Sequence, residues 1–163
     1  MTPTPPDTVG TEDTRLIVVR GNSASGKSSV ATGLREQFGR NLAIIGQDNL
    51  RRTVLRERDR PGGANIGLID LTARYALVHA HRGVSRCYYL DVPYAETVRR
   101  HATKPDAEYL THVTPAHLSD WYREEDLLPD EFESVIGASS TLDDTIQQIL
   151  RESGLDRVPP VDR

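Results

Sequence analysis

Gly21-Asn22-Ser23-Ala24-Ser25-Gly26-Lys27-Ser28 follows the apolar run Leu16-Ile17-Val18-Val19 and opens onto Val30-Ala31-Thr32-Gly33-Leu34. The stretch fits G-x-x-x-x-G-K-[ST] in the strand, loop and helix setting that this pattern requires. Glycines reach backbone conformations closed to other residues, so successive N–H groups can point into one concavity and hold phosphate oxygens. The positive end of the following helix adds to that field. Gly21, Asn22, Ser23, Ala24, Ser25, Gly26, Lys27, Ser28 and Ser29 therefore form the candidate nucleotide-binding stretch. Lys27 has the reach for the β- and γ-phosphates, and the Ser28 hydroxyl is the candidate Mg²⁺ ligand. The expectation is a nucleoside triphosphate site, with ATP and Mg²⁺ as cofactors.

The chain has 163 residues, 37% of them hydrophobic and 27% charged, which suits one soluble domain with its own core. A net charge of −4 and a pI near 5.7 leave no broad basic face for nucleic acid or anionic membrane. The single cysteine, Cys87, lies in an apolar run and reads as a buried, reduced thiol. Met1 to Thr14 is rich in Pro, Thr and acid, with no apolar stretch of the secretory kind, and no run is long enough to span a bilayer. A cytoplasmic setting follows as the expectation. Residues 1–14 and 156–163 read as disordered tails around a domain at 15–155.

Arg15 to Arg20 is the first strand, and Gly26 to Phe38 the helix after the loop, with Val30, Leu34 and Phe38 on one face and Gly39 as its stop. Leu42-Ala43-Ile44-Ile45-Gly46 reads as a second strand, ending at Gln47-Asp48. Strand, helix, strand implies a right-handed crossover and a parallel sheet, whose ligands sit at the carboxyl ends of the strands. A basic helix starts near Asn49, and an amphipathic helix runs from Asn65 to Ala80. Arg86 to Val92 is a strand closed by Pro93, Tyr94 to Ala102 a helix, and Thr103 to about Ala116 an irregular connection. Leu118 to Leu128 reads as helix, Ser134 to Ala138 as the last strand, and a final helix begins at Thr141 with Asp144 completing a variant capping box.

Phosphoryl transfer needs an acceptor oxygen to be positioned and relieved of its proton, and Asp48 stands at a strand end where a carboxylate can do both. Arg51, one helical turn on, could bind an anionic group of the acceptor. Asp48 also suits the N-cap of the helix that follows. Arg99, Arg100, Lys104 and Arg123 lie around a polar segment, at about 99–125, that could close over the triphosphate. Of these, Arg99 is assigned to nucleotide binding and Arg123 to catalysis. Among the histidines, only His79-x-His81 approaches a metal-ligand spacing, and no third ligand lies near.

The phosphate loop, Gln47-Asp48-Asn49-Leu50-Arg51-Arg52 and Tyr89-Leu90-Asp91-Val92-Pro93 together resemble the small P-loop kinases of the nucleoside, nucleotide and antibiotic group, which includes chloramphenicol phosphotransferase-like and tunicamycin-resistance-type proteins. Asp48 and Arg51 are also similar to the Asp-x-x-Arg of polynucleotide kinases, where the Asp is the base and the Arg meets substrate phosphate. The resemblance implies an α/β, three-layer P-loop NTPase fold, a parallel sheet of about four to five strands flanked by helices, and an arginine-bearing lid. It also implies a core strand between the basic region and Tyr88-Tyr89-Leu90-Asp91 that this chain does not offer. Val78 to Gly83 looks like a join where a strand and helix of roughly 25 residues are missing. The expected activity is transfer of the γ-phosphoryl group of ATP to a hydroxyl of a small nucleoside-like or antibiotic acceptor. A 5′-hydroxyl polynucleotide kinase and an impaired ATP-binding protein are the rival readings.

Overall fold

The computed structural model describes residues 10–39, 42–56, 81–105, 107–128 and 132–158. Three strands, β1 (Arg15–Gly21), β2 (Val84–Asp91) and β3 (Ser134–Gly137), form a parallel sheet in the order β1-β2-β3. Helix α1 (Lys27–Phe38) follows β1, and a single turn, α2 (Gln47–Asn49), continues as a π-turn over Leu50–Val54. Between β2 and β3 come α3 (Tyr94–Ala102), α4 (Ala107–His112) and α5 (Pro115–Trp121), and α6 (Leu142–Ser153) closes the fold. This is the α/β, parallel-sheet architecture expected of the chain.

Side chains alternate across a strand, and the register puts Val19 beside Tyr88 and Leu90 beside Ile136. That face, with Ile17, meets Val30 and Leu34 of α1 and Ile146, Ile149 and Leu150 of α6 in one core. Central strand β2 is buried from Cys87 to Leu90, on both faces, as a continuous apolar run in a parallel sheet should be. Cys87 is a free, buried thiol. Helix α6 is fixed at its start by Thr141, whose hydroxyl accepts from the Asp144 N–H at 3.1 Å, and at its end by Gly154 in the left-handed region.

Four expectations change. Leu42–Gly46 is no strand: it has no strand partner among the described residues, with Ile45 55% exposed and Leu42 resting on the core edge. The described sheet therefore has three strands, and β1 has no strand on its outer side among the described residues. Its residues are half-buried throughout, although their composition is that of an interior strand. The connection after Thr103 contains a helical turn, α4, and the next helix starts at Pro115 rather than Leu118. There Pro115 supplies a preset φ and Thr114 pairs with His117 as a capping box. The helix expected over Asn65–Ala80 lies outside the described residues. Of the expected tail over 1–14, the described part is a turn in which the Thr14 N–H and hydroxyl both donate to Thr11 O. Gly10 to Thr14 leads straight into β1.

Candidate functional site

Sheet geometry sends β1 directly into the loop. Gly21 has φ 136°, and a Cβ there would come within 2.7 Å of Leu90 O, so no larger residue fits at this turn. Ala24 (φ 60°) and Gly26 (φ 107°) take left-handed conformations around Ser25, an arrangement that curls backbone N–H groups toward one side. The N-terminus of α1 has neither a side-chain cap nor an acidic residue in its first turn. Its first N–H groups and dipole thus face the loop with no capping anion among the described residues.

Lys27 lies back in this concavity. Its Nζ donates to Gly21 O at 2.8 Å and to Asn22 O at 2.7 Å, both neutral partners. Burial lowers its pKa to about 8, opposed by the attraction of Asp48 and helped by the repulsion of Lys104. The Ser25 hydroxyl is buried with no hydrogen-bond partner among the described residues. An uncapped helix end, a lysine on carbonyls and an orphaned buried hydroxyl together fit a phosphate group. For a metal the fit is narrower. Ser28 is exposed at the head of α1, and among the described residues no group of three or more His, Cys, Asp or Glu could hold an ion. That suits Mg²⁺, which keeps several waters and is bound largely through substrate phosphates.

Asp48 and Arg51 come together as expected, with Arg51 Nη2 donating to Asp48 Oδ1 at 2.9 Å. The Asp48 side chain is 72% exposed and the Arg51 side chain only 10%. The guanidinium therefore fixes one carboxylate oxygen from below and leaves the other toward solvent. Asp48 is not the N-cap: that position is Gly46, and Asp48 sits inside the turn. The π-turn carrying Arg51 and Arg52 is a wide-ring geometry that concentrates at functional sites. Arg52 lies over the Tyr109 ring at 5.9 Å, and Lys104 over the same ring at 4.3 Å.

The arginines after β2 divide differently from the sequence assignment. Arg99 is turned outward and held bidentately by Glu96, whose carboxyl is drawn down to about pKa 2 by Arg99 and Arg100. Arg100 instead reaches the loop, donating from Nη1 to Ser25 O at 2.9 Å and from Nε to Glu96. The signal was in the helix period: Thr97 and His101 mark the inward stripe of α3, and Arg100 lies beside it while Arg99 does not. Arg123 meets the loop through its backbone only, which pairs with the Asn22 side chain at 2.7 and 2.9 Å. Its guanidinium donates to Asp120 O and Tyr122 O of its own segment. Ser23 and Ser29 flank the cradle, and Ser28, Ser29, Thr32 and Gly33 line a groove of about 430 Å³ against Leu142 and Asp143 of α6.

No protein-family model matches the chain, and no curated protein matches it. Solved structures do. A sugar kinase from Janibacter sp. HTCC2649 matches with a TM-score of 0.50 at 20% identity, over 85% of this chain and 93% of that one. A gluconokinase from Sinorhizobium meliloti 1021 matches with a TM-score of 0.50 at 16% identity, over 88% of this chain and 92% of that one. The chain has the fold of the P-loop kinases. That supports the broader part of the resemblance read in the sequence, and not the narrower placement among chloramphenicol phosphotransferase-like proteins.

Proposed function

We propose that the protein is an ATP-dependent kinase that phosphorylates a hydroxyl of a small acceptor. The observation that carries this reading is the Asp48–Arg51 pair, joined at 2.9 Å, with Asp48 close enough to Lys27 for its charge to act on the lysine. In this reading the loop amides and Lys27 hold the β- and γ-phosphates, and Arg100 steadies the loop from Ser25. Ser28 would hold Mg²⁺, which would supply charge neutralisation at the phosphates. Asp48 accepts the proton of the acceptor hydroxyl on its free oxygen, and Arg51 holds that carboxylate in place through its other oxygen. The names of the two structural neighbours, sugar kinase and gluconokinase, favour a polyhydroxylated acceptor over a nucleoside-like or antibiotic one.

Among the described residues β1 has no strand on its outer side, and this favours a second reading, a protein that binds ATP without turnover, because those residues give the acceptor side of the loop no supporting strand. The experiment that separates the two is a screen of sugars, aldonates and polyols with γ-labelled ATP, run beside Lys27→Ala. Transfer to one class by the wild type, lost in the variant, supports the kinase. Tight ATP binding with no labelled product from any acceptor supports the second reading.

A further inference from the structure

The phosphate loop holds the segment after β2 at two points. Arg100, at the end of α3, donates to the Ser25 carbonyl, and Asn22 grips the backbone of Arg123, 101 residues away. That second grip is reciprocal: Asn22 Nδ2 donates to Arg123 O at 2.7 Å, and Asn22 Oδ1 accepts from the Arg123 N–H at 2.9 Å. Both polar groups of the side chain are used, so it is not free to turn to a phosphate. The Tyr89 hydroxyl stands 3.4 Å from the same Nδ2 and marks the position of Asn22 from the sheet. Helices α4 and α5 hang between the two fastenings.

The same residue also meets Lys27, whose Nζ donates to the Asn22 carbonyl oxygen at 2.7 Å. A phosphate in the loop offers Lys27 an anionic partner in place of this neutral one, and the added attraction between opposite charges draws Nζ toward it. Drawing Nζ away changes what holds the Asn22 peptide, while the Asn22 side chain carries Arg123. We infer that Asn22 is a positioning residue, not a phosphate ligand: it fastens the Tyr122–Arg123 end of the α4–α5 segment to the loop and couples that segment's position to phosphate in the loop. The coupling rests on the nucleotide-binding reading; the fastening does not.

Hydrogen exchange read by mass spectrometry over residues 119–124 of the full chain tests both parts, in wild type, Asn22→Ala and Asn22→Asp. Without nucleotide, Asn22→Ala is expected to speed exchange at the Arg123 amide about tenfold or more, since its acceptor is gone. Asn22→Asp keeps that acceptor and replaces the donor to Arg123 O and the Tyr89 hydroxyl by a carboxylate oxygen, so it falls between the two and serves if the alanine variant folds poorly. With saturating ATP, whose binding is followed separately by calorimetry, exchange over 119–124 changes in the wild type and not in Asn22→Ala. Unchanged exchange in the nucleotide-free variants overturns the fastening. An ATP response of wild-type size in Asn22→Ala, or none in wild type that binds ATP, overturns the coupling. A wild type that binds no ATP overturns the functional reading, and the coupling with it, while the nucleotide-free comparison still decides the fastening.

Discussion

Lys27 is the residue whose surroundings make the sharpest demand on solution behaviour. Its pKa, about 8 in the folded protein against 10.5 ordinarily, is lowered mainly by burial. Phosphate beside the ammonium raises it again, so above pH 8 binding must take up a proton. ATP affinity is therefore expected to be level below pH 8 and to fall with rising pH above it, by up to about tenfold per unit. Titration calorimetry at several pH values in buffers of different ionisation enthalpy checks both the slope and the proton uptake. Folding stability runs the other way. Between pH 8 and 10.5 the unfolded chain binds more protons at this residue than the native one, so its contribution to stability rises with pH. Arg99 and Arg100 show what neighbouring positions of the same type conceal. Both are cations after β2, but one faces solvent with Glu96 and the other touches the loop. Arg100→Ala is expected to weaken ATP binding about tenfold and Arg99→Ala to leave it within about twofold, measured by the same calorimetry.

At the scale of elements, the packing of α1 on α6 turns on a glycine. A Cβ on Gly33 would run into Ile146 Cδ1. Alanine is the better helix former by about 1 kcal/mol, yet overpacking of a filled core costs about 1–3 kcal/mol. Gly33→Ala is thus expected to destabilise by up to about 2 kcal/mol in urea unfolding. Ile146→Val removes the obstructing methyl, and the double variant should be more stable than the sum of the single losses by about 1 kcal/mol. Most elements were legible because local chemistry and packing agree. Leu16 to Val19 next to a glycine loop, Val30 and Leu34 at helical spacing, Thr141 with Asp144, and Ile146, Ile149 and Leu150 on one stripe all found their expected places. Leu42 to Gly46 did not, because a strand needs a neighbour to bond with, and no sequence pattern reports whether one is present. Helix α4 was missed because a turn of Ala107-Glu108-Tyr109-Leu110-Thr111-His112 is too short for periodicity to register. At the site, the loop and the Asp48–Arg51 spacing were readable, being local. The contacts of Asn22, Arg100 and Tyr109 join residues far apart in the chain and were not.

For the whole molecule, the candidate phosphate loop stands at the edge of the three-stranded sheet that the described residues form. In parallel sheets a strand as apolar as Leu16 to Val19 is usually flanked on both sides, and here it is half-buried at every position. Ligand binding at the loop then has more than an ordinary effect on the ensemble, because the loop ties β1 to α1, to Ser25–Arg100 and to Asn22–Arg123 at once. ATP at about 100 times its dissociation constant adds about 2.7 kcal/mol by mass action. For a chain of 163 residues that corresponds to a rise in Tm of roughly 5–10 °C. Differential scanning fluorimetry should show this rise with ATP in the wild type and none in Lys27→Ala.

The most direct measurement on the central claim, a kinase whose base is Asp48, compares Asp48→Asn with the wild type in two assays: labelled phosphoryl transfer to the acceptor found by screening, and ATP binding by calorimetry. The amide keeps the size of the carboxylate and loses its basicity. Transfer is expected to fall by about 10²–10⁴-fold, with ATP affinity within about threefold of wild type because the loop and Lys27 are intact. Transfer at the wild-type rate in Asp48→Asn, or loss of ATP binding in parallel with loss of transfer, would contradict it.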